Sequence, residues 1–354
     1  MNENPAANPI PADPAATPVP HKRRPRYSGK NPRRFEDKYK EHGGDAATIA
    51  KVMAAGKTPA GTHRPIMVGE ILQALNPQPG QLAVDCTLGY GGHTQEILPK
   101  LLPGGRLIGL DQDPIQLPKT EARLRALGFD ATALTIQRSN FAGLPQALAA
   151  QQLTGADLIL ADLGLSSMQI DDPNRGFSVK HDGPLDMRMN PQRGQSAADW
   201  LRKVSVDNLA TVLTENADEP RAEVLAKQLA GGTFITTKAL AEAIRKALPG
   251  VKREEIDLAI RRVFQAIPIA VNDEFSALDT LLRHLPQCLN PGGRVAILTF
   301  HSGEDRRVKK SFAAGLQAGL YADIAHDVIR PSAEEVHNNS RSAPAKLRWA
   351  IKAG

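Results

Sequence analysis

The stretch AVDCTLGYGGHT (residues 83–94) decides the fold: a short apolar strand runs straight into a glycine-rich turn. Glycines let a backbone turn tightly and approach a ligand where a Cβ would clash. The N-terminus of the helix expected next offers unpaired amides. Two nucleotide-type cofactors use such a site. A dinucleotide-binding G-x-G-x-x-G begins immediately after its strand, to admit a pyrophosphate. Here Asp85 ends the strand first and the glycines follow as G-x-G-G. An acid suits a cationic amino-acid group better than a pyrophosphate, so the order favours S-adenosylmethionine over NAD. Taken alone, the string would also serve as a plain strand-to-helix turn.

Working outward, four apolar runs end in small or acidic residues: QLAVDCT (81–87), GRLIGLDQD (105–113), ATALTIQRSNF (131–141) and ADLILADLG (156–164). TQEILPKLL and PIQLPKTEARLRALG lie between the first three and read as helices. Upstream, Ile66, Met67, Ile71, Leu72 and Leu75 recur at helical spacing. Strands alternating with helices predict an α/β, Rossmann-like fold, a mostly parallel sheet covered on both faces. From about Ser196 the strand pattern stops. SVDNLATVL, EPRAEVLAKQLA, TTKALAEAIRKAL and EEIDLAIRRVFQAI all read as helices. A further helix, NDEFSALDTLLRHLPQCL, then leads into a turn and buried strand, NPGGRVAILTFHS, with a last strand in RSAPAKLRWAIKAG. The expected organisation is a basic arm over 1–58, a first α/β part over 59–194, a helical insert over 195–268 and a second α/β part over 269–354.

Composition sets the class. A hydrophobic content of 41% and a charged content of 23% are those of a soluble globular chain. No apolar run approaches the roughly 18–20 residues that span a bilayer, and no signal pattern opens the chain, so a cytoplasmic, membrane-free protein is expected. The two cysteines, Cys86 and Cys288, have no disulfide or zinc-site spacing. The charge is uneven: residues 1–60 carry 11 Lys+Arg against 6 Asp+Glu, or +5 of the total +6. The cluster HKRRPRYSGKNPRRF (21–35) could neutralise phosphates or simply solubilise an arm.

Candidate site residues follow from strand ends. Asp111 closes the second strand, where a carboxylate can accept hydrogen bonds from both ribose hydroxyls; Asp113, before Pro114, could equally cap a helix. Phe141 stands where an aromatic could pack on adenine. Asp162 ends the fourth strand, at the edge where an open α/β sheet binds ligands.

At this point the sequence resembles the small-subunit ribosomal RNA (cytosine-N4) methyltransferases, the MraW or RsmH family. The resemblance is carried by HRPIMVGEIL, DCTLGYGGHT, LIGLDQDP, ADLGLSSMQIDDPNRGFS, DGPLDMRMNPQRGQSAADWL, FQAIPIAVNDE, PGGRVAILTFHSGEDR and RSAPAKLRWA, over residues 62–350. It implies methyl transfer from S-adenosyl-L-methionine to the exocyclic N4 of one cytidine in the decoding region of 16S rRNA, with the small ribosomal subunit as partner. It leaves monomer and homodimer open, and the reaction requires no metal. Carried over position by position, it implies cofactor contacts from Gly91, Gly92, His93, Asp111, Phe141, Asp162 and Gln169. Asp162 with Ser166 and Ser167 are expected to line the catalytic site, with His301 and Asp305 as further candidates. Arg175 and Arg188 are candidate phosphate contacts, against the alternative of structural salt bridges.

There are departures. Pro268 stands where the family's FQAxRI carries arginine, and Gly303 where it often shows FHSLEDR. Asn216-Ala217-Asp218-Glu219 replaces a Tyr-Gly-Glu-Glu-like element, and the Pro/Ala-rich arm is expected to have no family counterpart. A nicotinamide-dependent oxidoreductase, a non-catalytic ribosome-assembly factor on this scaffold, and a methyltransferase acting on another RNA or on DNA are the competing readings.

Overall fold

The computed structural model describes residues 65–354; the arm expected over 1–58 lies outside them. Seven strands, β1 (Leu82–Asp85), β2 (Arg106–Asp111), β3 (Leu134–Arg138), β4 (Ala156–Asp162), β5 (Leu289–Thr299), β6 (Tyr321–Ile324) and β7 (Lys346–Lys352), form one sheet. Their order is β3-β2-β1-β4-β5-β7-β6. Strands β1 to β5 pair in parallel, and β7 runs antiparallel between β5 and β6.

The helices before the insert are α1 (Val68–Leu75), α2 (Gly92–Leu101), α3 (Leu117–Ala126) and α4 (Leu144–Ala150). Then come α5 (Ser167–Asp171), α6 (Ala197–Lys203), α7 (Val206–Ala217), α8 (Ala222–Leu229), α9 (Thr237–Ala247) and α10 (Arg253–Val271). The chain closes with α11 (Glu274–Cys288), α12 (Ser302–Gln317) and α13 (Ala333–Asn338). Side chains of a strand alternate between faces, and the two sheet cores sort accordingly. In β4, Leu158 and Leu160 pack with Ile71 of α1, Ile97 of α2 and Leu124 of α3. Ile159 and Ala161 pack with Leu148 of α4, Leu281 of α11 and Phe312 of α12. With both faces covered, these strands read as continuous apolar runs.

A third core belongs to the helices between β4 and β5. It unites Leu209, Leu225, Leu240, Ile244 and Val263 of α7 to α10 with Phe177, Leu185, Met187 and Met189. This packing unit thus reaches upstream of residue 195, and α10 continues through Pro268 to Val271. Two local details differ from the sequence reading. Strand β3 stops at Arg138, because the Asn140 side chain accepts from the Ala142 amide (2.9 Å) and turns Phe141–Gly143 into a 3-10 helix. Residues 290–293, expected as a turn before the strand, form an irregularity inside β5, between the pairs Ala156–Leu289 and Leu158–Arg294.

The strand order reverses between β1 and β4. A doubly wound sheet opens a crevice beyond the carboxyl ends of its strands at such a point. Asp85, Asp111 and Asp162, the last residues of β1, β2 and β4, all come to that edge.

Candidate active site

The crevice holds a cavity of about 680 Å³, walled by the ends of β1, β2 and β4, by α5, by one side of α10 and by the start of α12. Gly92, His93, Asp111, Phe141, Asp162, Ser166, Ser167 and Gln169 all line it. Gly91, Arg175 and Arg188 are not among the lining residues.

Gly91 acts behind the loop. It precedes α2 at φ 76°, and a Cβ there would stand 2.9 Å from Leu124 Cδ1 of α3. The same helix ties the loop down. Thr120 Oγ1 donates to the Gly89 carbonyl, and Arg123 donates to the Tyr90 carbonyl while its guanidinium lies 4.0 Å from the Tyr90 ring centroid. Asp85 overturns one part of the sequence argument. Its carboxylate accepts from Thr94 Oγ1 (2.7 Å) and the Thr87 amide (3.1 Å), is 2% exposed, and does not line the cavity. It staples β1 to α2; the acid facing the cavity here is Asp162.

Asp111 accepts from the Gly89 amide (2.7 Å) and the Asp113 amide (2.8 Å), which aims its carboxylate across the loop. Burial pushes its pKa up to about 6, against the lowering effect of those two amides. Asp113 is a junction. One oxygen accepts from the Ile115 amide (2.9 Å), the other from Gln169 Nε2 and Arg175 Nη1, both at 2.8 Å. Gln169 and Ser166 form a reciprocal cap at the start of α5, each side chain accepting from the other's amide at 2.9 and 3.2 Å. Gln169 and the Ser166 hydroxyl therefore hold the wall in place. Ser167 differs: its hydroxyl bonds to no described residue.

Asp162 faces His93, with Oδ2 3.5 Å from Nδ1, and its own amide donates to Thr87 Oγ1 (2.6 Å). His93 Nε2 lies 2.9 Å from the Ile66 carbonyl, which can only accept, so Nε2 carries a hydrogen. Nδ1 is then left as the ring nitrogen that faces Asp162. Burial raises Asp162 to about 6; His93 opposes this, and Asp85 and Glu304 add to it. Across the cavity, Glu304 accepts from the Phe300 amide (2.9 Å) and lies 3.2 Å from His301 Nε2, the residue that caps α12. Glu274 completes this wall, its carboxyl pushed up to about 8 by burial and by Glu304. Sequence reading missed Thr87, Glu274 and Glu304, although all three sit inside strings already singled out.

The two arginines offered as candidate phosphate contacts both have partners within the protein. Arg175, 5% exposed, donates to Asp113 and, through Nη2, to the carbonyls of Arg188 (3.0 Å) and Met189 (2.8 Å). Arg188 forks onto Asp186 at 2.8 and 2.6 Å. Asp305 is likewise spent on Arg348 (2.6 Å) and is absent from the cavity wall. The strings DPNRGFS and DGPLDMRM thus fold against each other. Cβ atoms at Gly176 and Gly183 would lie 2.2 Å from the Pro184 carbonyl and 1.9 Å from the Pro173 carbonyl, so only glycine fits either place. Asn272 pins this segment to α10, accepting from the Met189 amide (2.7 Å) and donating to the Met187 carbonyl (2.8 Å).

Residues 60–353 match the model of the MraW methylase family. The chain belongs to that family. It is 49% identical over 344 residues to the ribosomal RNA small subunit methyltransferase H 1 of Lachnoclostridium phytofermentans, covering 94% of this chain and 93% of the relative. It is also 49% identical to the ribosomal RNA small subunit methyltransferase H 2 of Alkaliphilus metalliredigens, covering 94% and 97%. The methyltransferase H of Rubrobacter xylanophilus is 41% identical, covering 83% of this chain. The first two correct the expectation that the arm lacks a counterpart. A 94% share is about 333 residues, whereas 60–353 holds 294, so part of the arm is common to those relatives. As a MraW methylase, the protein is a methyltransferase that uses S-adenosyl-L-methionine.

Proposed function

We propose that the protein transfers the methyl group of S-adenosylmethionine to the exocyclic N4 of a cytidine in small-subunit rRNA, in the crevice over β1 and β4. The observation that carries this is one cavity joining an Asp111 carboxylate on a glycine-loop amide to the Asp162–His93 pair. Bound there, the cofactor supplies an electrophilic methyl on a sulfonium sulfur. Asp111 accepts from the ribose hydroxyls, Phe141 packs against the adenine, and Gly92, His93 and Asp162 surround the cationic amino-acid end.

The N4 amine is a poor nucleophile because its lone pair is delocalised into the ring. Asp162, ionised, accepts an N–H from that amine, which localises the lone pair and turns it toward the methyl carbon. The cofactor would supply the methyl that N4 takes up as the S–C bond gives way, and the Asp162–His93 pair would accept the proton that N4 releases. Most of the acceleration is positioning and electrostatics. Ser167, with its uncommitted hydroxyl, is placed to bond the base.

Attack at C5 of the pyrimidine is disfavoured by the chain's own chemistry, since it needs a thiolate to add to the ring. Both cysteines are buried; burial drives the Cys86 thiol well up and Cys288 to about 11. The helices α6 to α10, with the 172–190 segment packed into them, are the substrate-recognition layer in this reading. The test is transfer of labelled methyl from S-adenosylmethionine to small subunits that lack the modification. Label should enter the rRNA; label in ribosomal protein alone, or none, would overturn the proposal.

A further inference from the structure

Helix α10 turns one stripe toward the cavity: Arg261, Phe264, Gln265 and Pro268, at i, i+3, i+4 and i+7. Three of these are accounted for. Phe264 belongs to the helical core, and Gln265 Nε2 donates to the Asn216 carbonyl at 2.9 Å. Pro268 is buried. Arg261 is not accounted for. It is exposed at the cavity wall and makes no hydrogen bond, ion pair or ring contact with any described residue. The arginines around it do: Arg262 lies 3.7 Å from Glu219, and Arg221 pairs with Glu255.

Arg341 also lines the cavity. Its Nη2 holds Asp171 at 3.0 and 3.1 Å, while no bond from another described residue engages its Nη1 or Nε. Charge is therefore divided. The acids Asp111, Asp113, Asp162, Glu274 and Glu304 line the cavity, and the two arginines come to it from α10 and from the segment before β7. Carboxylates suit the sulfonium and ammonium of the cofactor. An arginine with no carboxylate of its own suits an anion, and a nucleotide entering base-first brings phosphodiesters behind it.

We propose that Arg261 binds a phosphodiester flanking the target cytidine. This rests on the rRNA reading above. A guanidinium can clasp a phosphate with two parallel N–H bonds, which lysine cannot do.

The test uses full-length protein, unmethylated small subunits and labelled S-adenosylmethionine. Arg261→Ala should raise KM for subunits about tenfold or more, the scale of a hydrogen bond to a charged group, with kcat within about twofold. The salt dependence of subunit binding should fall by about one phosphate contact, a log–log slope change of roughly 0.7–0.9. Cofactor affinity by calorimetry should not change, and Arg261→Lys should keep the salt slope. An Arg261→Ala protein with unaltered KM and salt slope overturns the proposal, and so does one that loses cofactor affinity. Subunit binding without cofactor separates the two readings. Wild-type protein that shows the Arg261-dependent slope but transfers no methyl would sink the N4 reading and leave the phosphate contact standing.

Discussion

Replacing Asp162 with Asn should move stability and activity in opposite directions. Burial lifts this carboxyl from 3.8 to about 6. The folded state then binds more protons than the unfolded chain between about pH 4 and 6, so the penalty is absent below that window and complete above it. At 1.36 kcal/mol per pH unit, holding Asp162 ionised at pH 8 costs the folded protein on the order of 2–3 kcal/mol. Asn has the same shape, and its Nδ2 can donate to His93 Nδ1, the nitrogen left to accept by the Ile66 bond. Asp162→Asn should therefore stabilise the cofactor-free protein by about that amount at pH 8, with the gain vanishing as pH falls toward 4. Methyl transfer should meanwhile drop by roughly 10²–10³, the usual loss when one preorganised electrostatic group is removed. Urea denaturation across pH 4–8 and labelled methyl transfer read the two effects. A variant less stable than wild type at pH 8, or one with full turnover, would refute the reasoning.

Other changes test separate parts of the site. Asp111→Asn should weaken cofactor binding by about 10–100-fold, since hydrogen bonds to an ionised group are worth roughly 1.5–3 kcal/mol each; calorimetry showing no loss would remove Asp111 from the ribose. In wild-type protein the same affinity should tighten as pH rises through about 6, because Asp111 and Asp162 ionise there; a flat pH profile would contradict this. Arg175→Met leaves Asp113 buried without its cation and should cost about 3–5 kcal/mol in urea unfolding. A change under about 1 kcal/mol would return Arg175 to the list of substrate contacts. A Cβ at Gly303 would stand 2.7 Å from Phe275 Cζ, so Gly303→Leu should cost about 1–3 kcal/mol by overpacking. Adding Phe275→Leu should relieve part of that, and strict additivity in the double variant would show that the two positions do not share the space.

Most of the sheet was legible because a strand buried on both faces leaves an unbroken apolar run, as in ADLILAD, with its acid at the end. The acids at strand ends mark the ligand edge in the sequence itself. What could not be read was where each polar side chain spends its bonds. Asp85 and Asp162 look alike in sequence, yet one is spent on Thr94 and the other faces open space. Arg175 and Arg188 resembled phosphate ligands, but each has an acid partner, Asp113 across 62 residues and Asp186 across 2. The first pairing is long-range and has no local signal; the second lies within the string DMR itself. The start of the helical packing unit was equally hidden. Phe177 and Met187 sit in loops without periodicity, and only tertiary contact assigns them to the core of α7 to α10. The strings most diagnostic of the family hold their own shape, with two glycines fixed by backbone contact and an arginine fixed by Asp113, while Phe177, Ser178 and Met189 from the same strings line the cavity.

Nucleoside analysis of the rRNA shows directly which atom receives the methyl group. Small subunits lacking the modification are incubated with the protein and S-adenosylmethionine, and their rRNA is digested to nucleosides for chromatography and mass spectrometry against authentic standards. N4-methylcytidine should appear with wild-type protein and be lost with Asp162→Asn. A product co-migrating with 5-methylcytidine or a ribose-methylated nucleoside, or no methylated cytidine at all, would contradict the account.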